Sequence, residues 1–410
     1  MRRVAITGLG MICPVGNDRE SCWQALSAGT SGIGRITRFD ASRFEVQLAG
    51  EVKGLRRLPD RVANVAHYDP KIAFAFSACE EAMRQAGLAG LNSTSLLHVA
   101  TSLETFDLGK VVHNGKPDFT AVARRSLEPG AVPLQFPLDG AARLIAEAYG
   151  RPGQSLTNCS ACAAGAQAIG HGFQAIRGGR FDTALCGGFD SMINPLGVGG
   201  FQLLGALTVH NERGALACRP FDSQRSGTVL GEGAAMVVLE PLDSARAEGK
   251  AVLAEICGYG SSFDAHSVSS PDPDGDGAER AMRAALQDAG ISANAVRHIN
   301  AHGTGTVLND AVEAKALRRV FADTWPEIPV SATKSMTGHL IAAAGAVELG
   351  ACLLALVKGM LPPNPALDRV GPGCELNHVT QPGRRFDGEY VLSNSFGFGG
   401  QNATLVLRKV

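Results

Sequence analysis

Apolar and polar positions follow two rhythms along this chain. Short, mostly apolar runs, several ending in glycine, precede segments whose apolar residues recur at three- and four-residue intervals. The first rhythm is that of buried strands and the second that of amphipathic helices. On this basis residues 3–7 form a strand, 19–27 a helix, 72–85 a long helix and 96–101 a strand. Residues 30–65 read as irregular, and 102–140 carry no assignable period. A helix over 142–148, a strand over 154–157, a helix over 162–176 and a strand over 183–186 follow. The run Ala234-Ala235-Met236-Val237-Val238-Leu239-Glu240 is a buried strand, and Asp243 is placed to cap a short helix over 244–248. A strand from 252 to 259 repeats the strand-then-glycine ending seen at the N-terminus. Beyond it come a helix at 278–289, a strand at 296–301, a helix at 312–321, a strand at 329–332, a helix at 339–357 and a closing hairpin of 390–393 with 403–407.

This order predicts an α/β protein of two βαβ-rich halves, residues 1–245 and 246–410. Each half has one helix rich in alanine and glycine, at 162–176 and at 339–357. Small residues permit close backbone approach, so both helices are expected in one central layer with sheets on either side. The stretch 340–357 is the most apolar of the later chain, yet it carries Glu348 and two glycines and reads as a buried helix, not a membrane span. The brief basic start, Met1-Arg2-Arg3, leads into a strand and lacks the apolar core of a signal peptide.

Composition narrows the function. With 410 residues, 45% of them hydrophobic, the chain can bury a large core. A formal charge of -1 argues against general binding to nucleic acid or to a membrane surface. The ten cysteines mostly stand singly in apolar runs, the pattern of reduced thiols in a cytoplasmic protein. Cys159 and Cys162 have C-x-x-C spacing, but no second pair accompanies them, so zinc is not expected.

The chemistry gathers in four places. In Ser155-Leu156-Thr157-Asn158-Cys159-Ser160-Ala161-Cys162-Ala163-Ala164-Gly165 a strand breaks at a small-residue turn and enters a helix, with a cysteine at the join. The free N–H groups and positive dipole of a helix start favour a thiolate and lower its pKa. Taken alone, the stretch reads equally well as a buried structural thiol. His298-Ile299-Asn300-Ala301-His302-Gly303-Thr304-Gly305-Thr306 puts a histidine where a strand ends in a glycine loop, a usual ligand position in α/β proteins. Ser331-Ala332-Thr333-Lys334-Ser335-Met336-Thr337-Gly338-His339 puts a lysine and another histidine before the second small-residue helix. Ser393-Asn394-Ser395-Phe396-Gly397-Phe398-Gly399-Gly400-Gln401-Asn402 is a glycine loop able to offer backbone N–H groups. Singly, Lys334 is a surface charge, Phe396 and Phe398 are core, and His67, His98, His113, His171, His210, His266, His298 and His378 are structural. Together, a helix-start cysteine, two loop histidines and a glycine loop are the set needed for acyl transfer through a thiolate. A histidine at a helix start is disfavoured as a cation, so His339 is expected to be a neutral donor.

With these motifs in this order, and with Val4-Ala5-Ile6-Thr7-Gly8-Leu9-Gly10, Pro195-Leu196-Gly197-Val198-Gly199-Gly200 and Arg219-Pro220-Phe221-Asp222, the chain resembles the β-ketoacyl-acyl carrier protein synthases of the condensing-enzyme family, chiefly the elongating type II synthases. The resemblance implies a dimeric thiolase-like fold of two similar halves in α/β/α/β/α layers, and a Cys-His-His triad. The family's T-x-C-x-x-G pattern falls on Ser160-Ala161-Cys162-Ala163-Ala164-Gly165, which makes Cys162 the nucleophile; Cys159 has no glycine three residues on. His302 and His339 become the histidines, Lys334 the preceding lysine with Glu348 as its acidic partner, Thr304 and Thr306 the contacts to a pantetheine arm, and Phe398 a gate and oxyanion donor. The implied substrates are acyl and malonyl thioesters on an acyl carrier protein, with no redox or metal cofactor. Arg124 and Arg125 fall near the family's basic docking segment, with Arg56, Arg57 and Arg61 as secondary candidates. Ser102-Leu103-Glu104-Thr105-Phe106-Asp107 and Gln135-Phe136-Pro137-Leu138-Asp139-Gly140 depart from the pattern of fatty-acid enzymes, which implies a polar or conjugated chain as in polyketide or polyene assembly. Cys162, His302 and His339 set the chain apart from the family's non-catalytic chain-length partners, while leaving open a homodimer or an active half paired with such a partner. Thiolases and starter-type synthases use a different constellation with one histidine.

Overall fold

The computed structural model describes residues 1–66, 69–103, 105–106, 112–113, 116–118, 120, 123–124 and 135–410. His67, Glu104, Asp107 and Arg125 lie outside the described residues. Thirteen strands join in one hydrogen-bonded sheet. At its centre Val4–Ile12 and Ala254–Phe263 lie antiparallel, with Val4 opposite Ile256 and Ile6 opposite Ala254. From Val4–Ile12 the path runs through Leu230–Pro241 and Thr183–Ser191, each antiparallel, to Ser95–Ala100 and Gln154–Asn158, each parallel. From Ala254–Phe263 it runs through Gln401–Arg408 and Tyr390–Gly397, each antiparallel, to Val296–Asn300 and Pro329–Ser331, each parallel. The two halves thus repeat one pairing pattern, which no clear sequence identity announces.

The first strand of each half shows how far the repeat extends. Both carry a register shift, at Ile6/Gly8 and at Ile256/Gly258. After it, glycines at alternate positions take the face on which a helix lies. A Cβ at Gly8 or Gly10 would fall 2.1 or 1.8 Å from a carbonyl of helix Pro70–Gln85, and one at Gly258 or Gly260 would fall 2.3 or 2.1 Å from a carbonyl of helix Asp276–Ala289. Only hydrogen fits, so these helices form the outer layers at minimum distance.

Between the two wings of the sheet lie helices Ala164–Arg177 and Ala344–Lys358, which touch strands of both halves and each other. The stretch Ile341–Lys358 is long and apolar enough to cross a membrane by length and composition, but 89% of it is buried inside the protein, as a core helix is. The two helices cross at glycines. A Cβ on Gly345 would lie 2.9 Å from the backbone nitrogen of Ala166, and one on Gly165 2.7 Å from the carbonyl oxygen of Ala342.

Several boundaries differ from the periodicity. Cys162 and His339 both precede their helices: short 3₁₀ turns, Ala161–Ala163 and Ile341–Ala343, come first. The helix assigned to 244–248 is Leu242–Ala247 and begins after Pro241, so Asp243 lies inside its first turn and caps nothing. The strand from 252 runs Ala254–Phe263. In the irregular segment, Ile33–Arg35 and Leu48–Gly50 form a short antiparallel pair.

Two predictions follow from the packing. Gly345→Ala forces the central helices apart and should lower unfolding free energy by about 1–3 kcal/mol; an unchanged denaturant midpoint would contradict the glycine crossing. His98 is 4% exposed, and burial, with a smaller push from His171, lowers it to about 4. The unfolded chain therefore takes up a proton near pH 6.5 that the folded His98 refuses until about pH 4. The stability advantage of wild type over His98→Asn should shrink on acidification across that window, by about 1.4 kcal/mol per pH unit. A gap constant with pH would show that His98 is not held neutral.

Candidate active site

Cys162 stands in the turn between strand Gln154–Asn158 and helix Ala164–Arg177. The preceding Ala161 has φ 49°, and in the second half Ile341, two residues after His339, has φ 47°. Such values are uncommon for alanine and an outlier for a β-branched residue. The strained turns mark the same place in each half and swing Cys162 and His339 toward one another. Asp190 helps to hold the second turn, its Oδ2 accepting from the N–H of Ala342 at 2.9 Å.

His339 is fixed to the other half of the molecule. Its N–H donates to the carbonyl of Val229 at 2.7 Å, and its own carbonyl accepts from Gly231 at 2.9 Å. His302 follows strand Val296–Asn300, where Glu313 accepts the N–H groups of His302 at 2.7 Å and Gly303 at 2.8 Å. Asp310, one helical turn earlier, accepts from Gly305 at 3.2 Å. The loop is therefore held from below by two buried carboxylates on helix Val307–Phe321.

These supports bring three functional atoms together. The ring of His339 reaches the Cys162 sulfur through Nε2 at 3.0 Å, and the two histidine rings meet edge-on with centroids 5.3 Å apart. Lys334, 1% exposed, donates from Nζ to Glu348 Oε1 at 2.5 Å, to the His302 carbonyl at 2.5 Å and to His302 Nδ1 at 3.2 Å. An ammonium has three protons, and all three are used. His302 Nδ1 is thus an acceptor, and its neutral ring carries its proton on Nε2. The same holds for His339, whose Nδ1 accepts the N–H of Ile341 at 3.2 Å. Both rings present Nε2–H donors.

Electrostatics agrees with this assignment. Burial, and then the Lys334 charge, holds both histidines well below their ordinary range. The expected neutral state of His339 is present, but desolvation and Lys334 are its causes. Burial pushes the Glu348 carboxyl up to about 7, against the pull of Lys334. The expectation of a depressed thiol is overturned: burial pushes Cys162 up to about 11, opposed by hydrogen bonds from the N–H of Phe398, by Lys334 and by its own N–H. The resting group is a thiol whose anion is favoured only by local donors.

The donor atoms of Cys162, His302 and His339 lie within 4.8 Å of one another, close enough in distance to ligate a metal. Their chemistry does not suit one. Both Nε2 atoms carry protons, and a buried ammonium stands 3.2 Å from one ring.

Two cavities meet at the cysteine. One, of about 260 Å³, includes Cys162, His302, His339, Thr304 and Thr306, and the two threonine hydroxyls are 2.9 Å apart. The other, of about 220 Å³, is lined by Ser102, Leu103, Cys159, Met192 and Ile341. Phe201 and Phe398 border both, with ring centroids 6.0 Å apart. Two glycines in the left-handed region follow Phe398, Gly399 at φ 76° and Gly400 at φ 78°. Cys159 is exposed, and its thiol donates to the Ser102 carbonyl at 2.8 Å, so the C-x-x-C spacing is not a pair. Arg124 is exposed and lines neither cavity. Sequence reasoning missed Asp190, Asp310 and Glu313. The three-residue spacing of the last two, just after Thr306 at the helix cap, was the available signal.

Residues 1–245 match the family Beta-ketoacyl synthase, N-terminal domain, and residues 253–368 match Beta-ketoacyl synthase, C-terminal domain. The chain is 38% identical over 411 residues to a 3-oxoacyl-[acyl-carrier-protein] synthase 2 of Coxiella burnetii, covering 100% of this chain and 99% of that one. Among solved structures it is similar to the ishigamide ketosynthase/chain length factor, with a TM-score of 0.86 and 33% identity over 100% of this chain and 99% of that one. It is also similar to a type II polyketide synthase acyl-carrier protein in complex with its ketosynthase bound to the hexaketide, with a TM-score of 0.85 and 30% identity over 100% of both chains. In sequence, in its thiolase-like fold and in the convergence of Cys162, His302 and His339, this chain belongs to the β-ketoacyl synthase family.

Proposed function

We propose that the chain is a β-ketoacyl-acyl carrier protein synthase, with its catalytic groups divided between an N-terminal half, 1–245, and a C-terminal half, 246–410. The observation that carries this reading is the pairing of one buried thiol with two imidazoles, each held as a neutral Nε2–H donor. Neutral donors suit a reaction that builds negative charge on a thioester oxygen and needs no imidazolium.

In the first stage the Cys162 sulfur attacks the acyl thioester. The oxyanion is held by the N–H groups of Cys162 and Phe398, the carrier thiolate leaves, and it takes the proton lost by Cys162. In the second stage the C–C bond to the carboxylate of a malonyl thioester breaks. Carbon dioxide leaves, and the electron pair forms an enolate whose oxygen accepts from His302 and His339. The enolate carbon attacks the acyl carbon, the Cys162 thiolate departs, and a 3-oxoacyl chain two carbons longer remains on the carrier. Lys334 and Glu348 act one step back, by fixing the His302 tautomer. Thr304 and Thr306 line the path of the pantetheine arm, and Phe398 moves between the two cavities as the stages alternate.

The 220 Å³ cavity fits the acyl chain. Its sequence suggested a polar lining, yet Ser102 Oγ is turned to Asp190 at 2.8 Å. Met192, Phe201, Ile341 and Phe398 leave an apolar, partly aromatic wall that favours a conjugated chain over an oxygenated one. A cytoplasmic site of action fits the ten free cysteines.

A second reading, the active half of a heterodimer with a chain-length partner, is favoured by the ketosynthase/chain length factor neighbour and by strand Gln154–Asn158. That strand ends the sheet path, with Leu156 39% exposed. Activity of the purified chain alone, as a homodimer by sedimentation, would favour the first reading; a requirement for a second gene product would favour the other.

Cys162→Ala should abolish the acyl adduct in intact-protein mass spectrometry. His302→Ala and His339→Ala should retain an adduct while losing about 10²–10³-fold in carbon dioxide release; normal turnover by Cys162→Ala would refute the assignment. Glu348→Ala leaves the Lys334 ammonium without its anion and should lower stability by about 3–5 kcal/mol, with partial recovery in Lys334→Met/Glu348→Leu. A silent Glu348→Ala in denaturant titration would contradict the buried pair.

A further inference from the structure

Ser102 and Leu103 wall the 220 Å³ cavity that fits the acyl chain, and the backbone ladder of the sheet stops just short of them. Strand Ser95–Ala100 is followed by one more ladder bond, from the N–H of Thr101 to the carbonyl of Asn158 at 3.1 Å. Beyond it, among the described residues, the wall is fastened by three side chains. Asp190 Oδ1 accepts the Ser102 hydroxyl at 2.8 Å, the Cys159 thiol donates to the Ser102 carbonyl at 2.8 Å, and Lys71 Nζ donates to the Leu103 carbonyl at 2.7 Å. A charged donor makes the last of these the strongest tie. Leu103 is 60% exposed, so packing gives its side chain little anchorage of its own.

Lys71 stands where stability alone would not put a cation. It is 3% exposed and lies in the first turn of helix Pro70–Gln85, at the positive end of the helix dipole, so burial and dipole both oppose its charge. Asp69 offsets this. Its Oδ1 accepts the backbone N–H of Lys71 as the helix cap, while its Oδ2 stands 3.1 Å from Lys71 Nζ. Burial lifts the Asp190 carboxyl to about 6 against the pull of the same ammonium. Lys71 thus reaches the cavity wall twice, through the Leu103 carbonyl and through the carboxylate that holds Ser102.

We infer that Lys71 is a positioning residue for substrate selection: by fixing the Leu103 carbonyl it fixes the wall against which the acyl chain must fit, and so how sharply the enzyme discriminates among chains by length. The inference rests on the condensing-enzyme reading, in which the chain carried by Cys162 occupies this cavity. A wall held in one place gives a steep cut-off, and a wall released gives a shallow one.

The test cuts the tie and reads the length profile. Lys71→Met is made alone and together with Asp69→Asn, which keeps a helix cap and leaves no unpaired charge at residue 69. Leu103→Ala is made in the wild type and in each of these backgrounds. Acylation of Cys162 is followed by intact-protein mass spectrometry with acyl carrier protein thioesters whose saturated chains lengthen in two-carbon steps. The fall in kcat/KM beyond the preferred length should be about tenfold smaller in the Lys71 variants than in wild type. Leu103→Ala should flatten the profile too, and combining it with the Lys71 change should flatten it no further, because both act on one wall. A flat wild-type profile, an unchanged profile in the variants, equal loss at every chain length, or effects that add in the combined variants would overturn the inference while leaving the enzyme assignment intact. Loss of folding in both Lys71 variants would show that Lys71 serves the fold, with the same consequence. Failure of the wild-type chain to acylate from any of the thioesters would overturn the enzyme assignment itself.

Discussion

One buried ammonium organises the reacting centre. Lys334 has three protons and spends one on the carboxylate of Glu348, one on the carbonyl of His302 and one on its Nδ1. The first contact neutralises a charge that is otherwise too costly to bury, and the other two set the position and tautomer of the His302 ring. The same charge depresses both histidines and pulls on the Cys162 thiol. Without it His302 would have no fixed donor face, and the convergence on Cys162 would be one of distance alone.

The fold exists to hold that arrangement at the junction of two half-molecules. Each half contributes a strained turn and a small-residue helix, and the helices can cross only because Gly165 and Gly345 have no Cβ. Strain at Ala161 and Ile341 persists because the surrounding sheets and the Asp190 carboxylate over-determine the turns. Cys162, His302 and His339 therefore sit in turns held by buried carboxylates and by sheet strands, while Phe398 is followed by two glycines, Gly399 and Gly400, in the left-handed region.

Much of this was legible in the sequence, and the exceptions have physical reasons. Alternation of strand and helix, the two small-residue helices and the motifs around Cys162, His302 and His339 were readable because each is local. The helix starts were misread because Ala161 and Ile341 adopt positive φ without glycine, so nothing in the sequence signals a break. Asp243 reads as a cap because propensity favours it there, but the helix starts after Pro241, two residues earlier than a cap at Asp243 requires. Asp310 and Glu313 act on backbone N–H groups upstream of their own helix, a relation that no local pattern displays. The thiol was expected to be acidic because a helix start favours anions; burial outweighs that effect, and burial is set by the whole fold.

The account therefore turns on two protons, those on Nε2 of His302 and His339. Nitrogen-15 NMR of histidine-labelled protein at neutral pH reads them directly. The structure predicts both rings neutral, with Nε2 protonated and Nδ1 bare, and predicts that the His302 signal changes in Lys334→Met while the His339 tautomer, set by the Ile341 N–H, stays. An imidazolium at either position, or a proton on Nδ1 of either ring in the wild-type enzyme, would contradict the central claim.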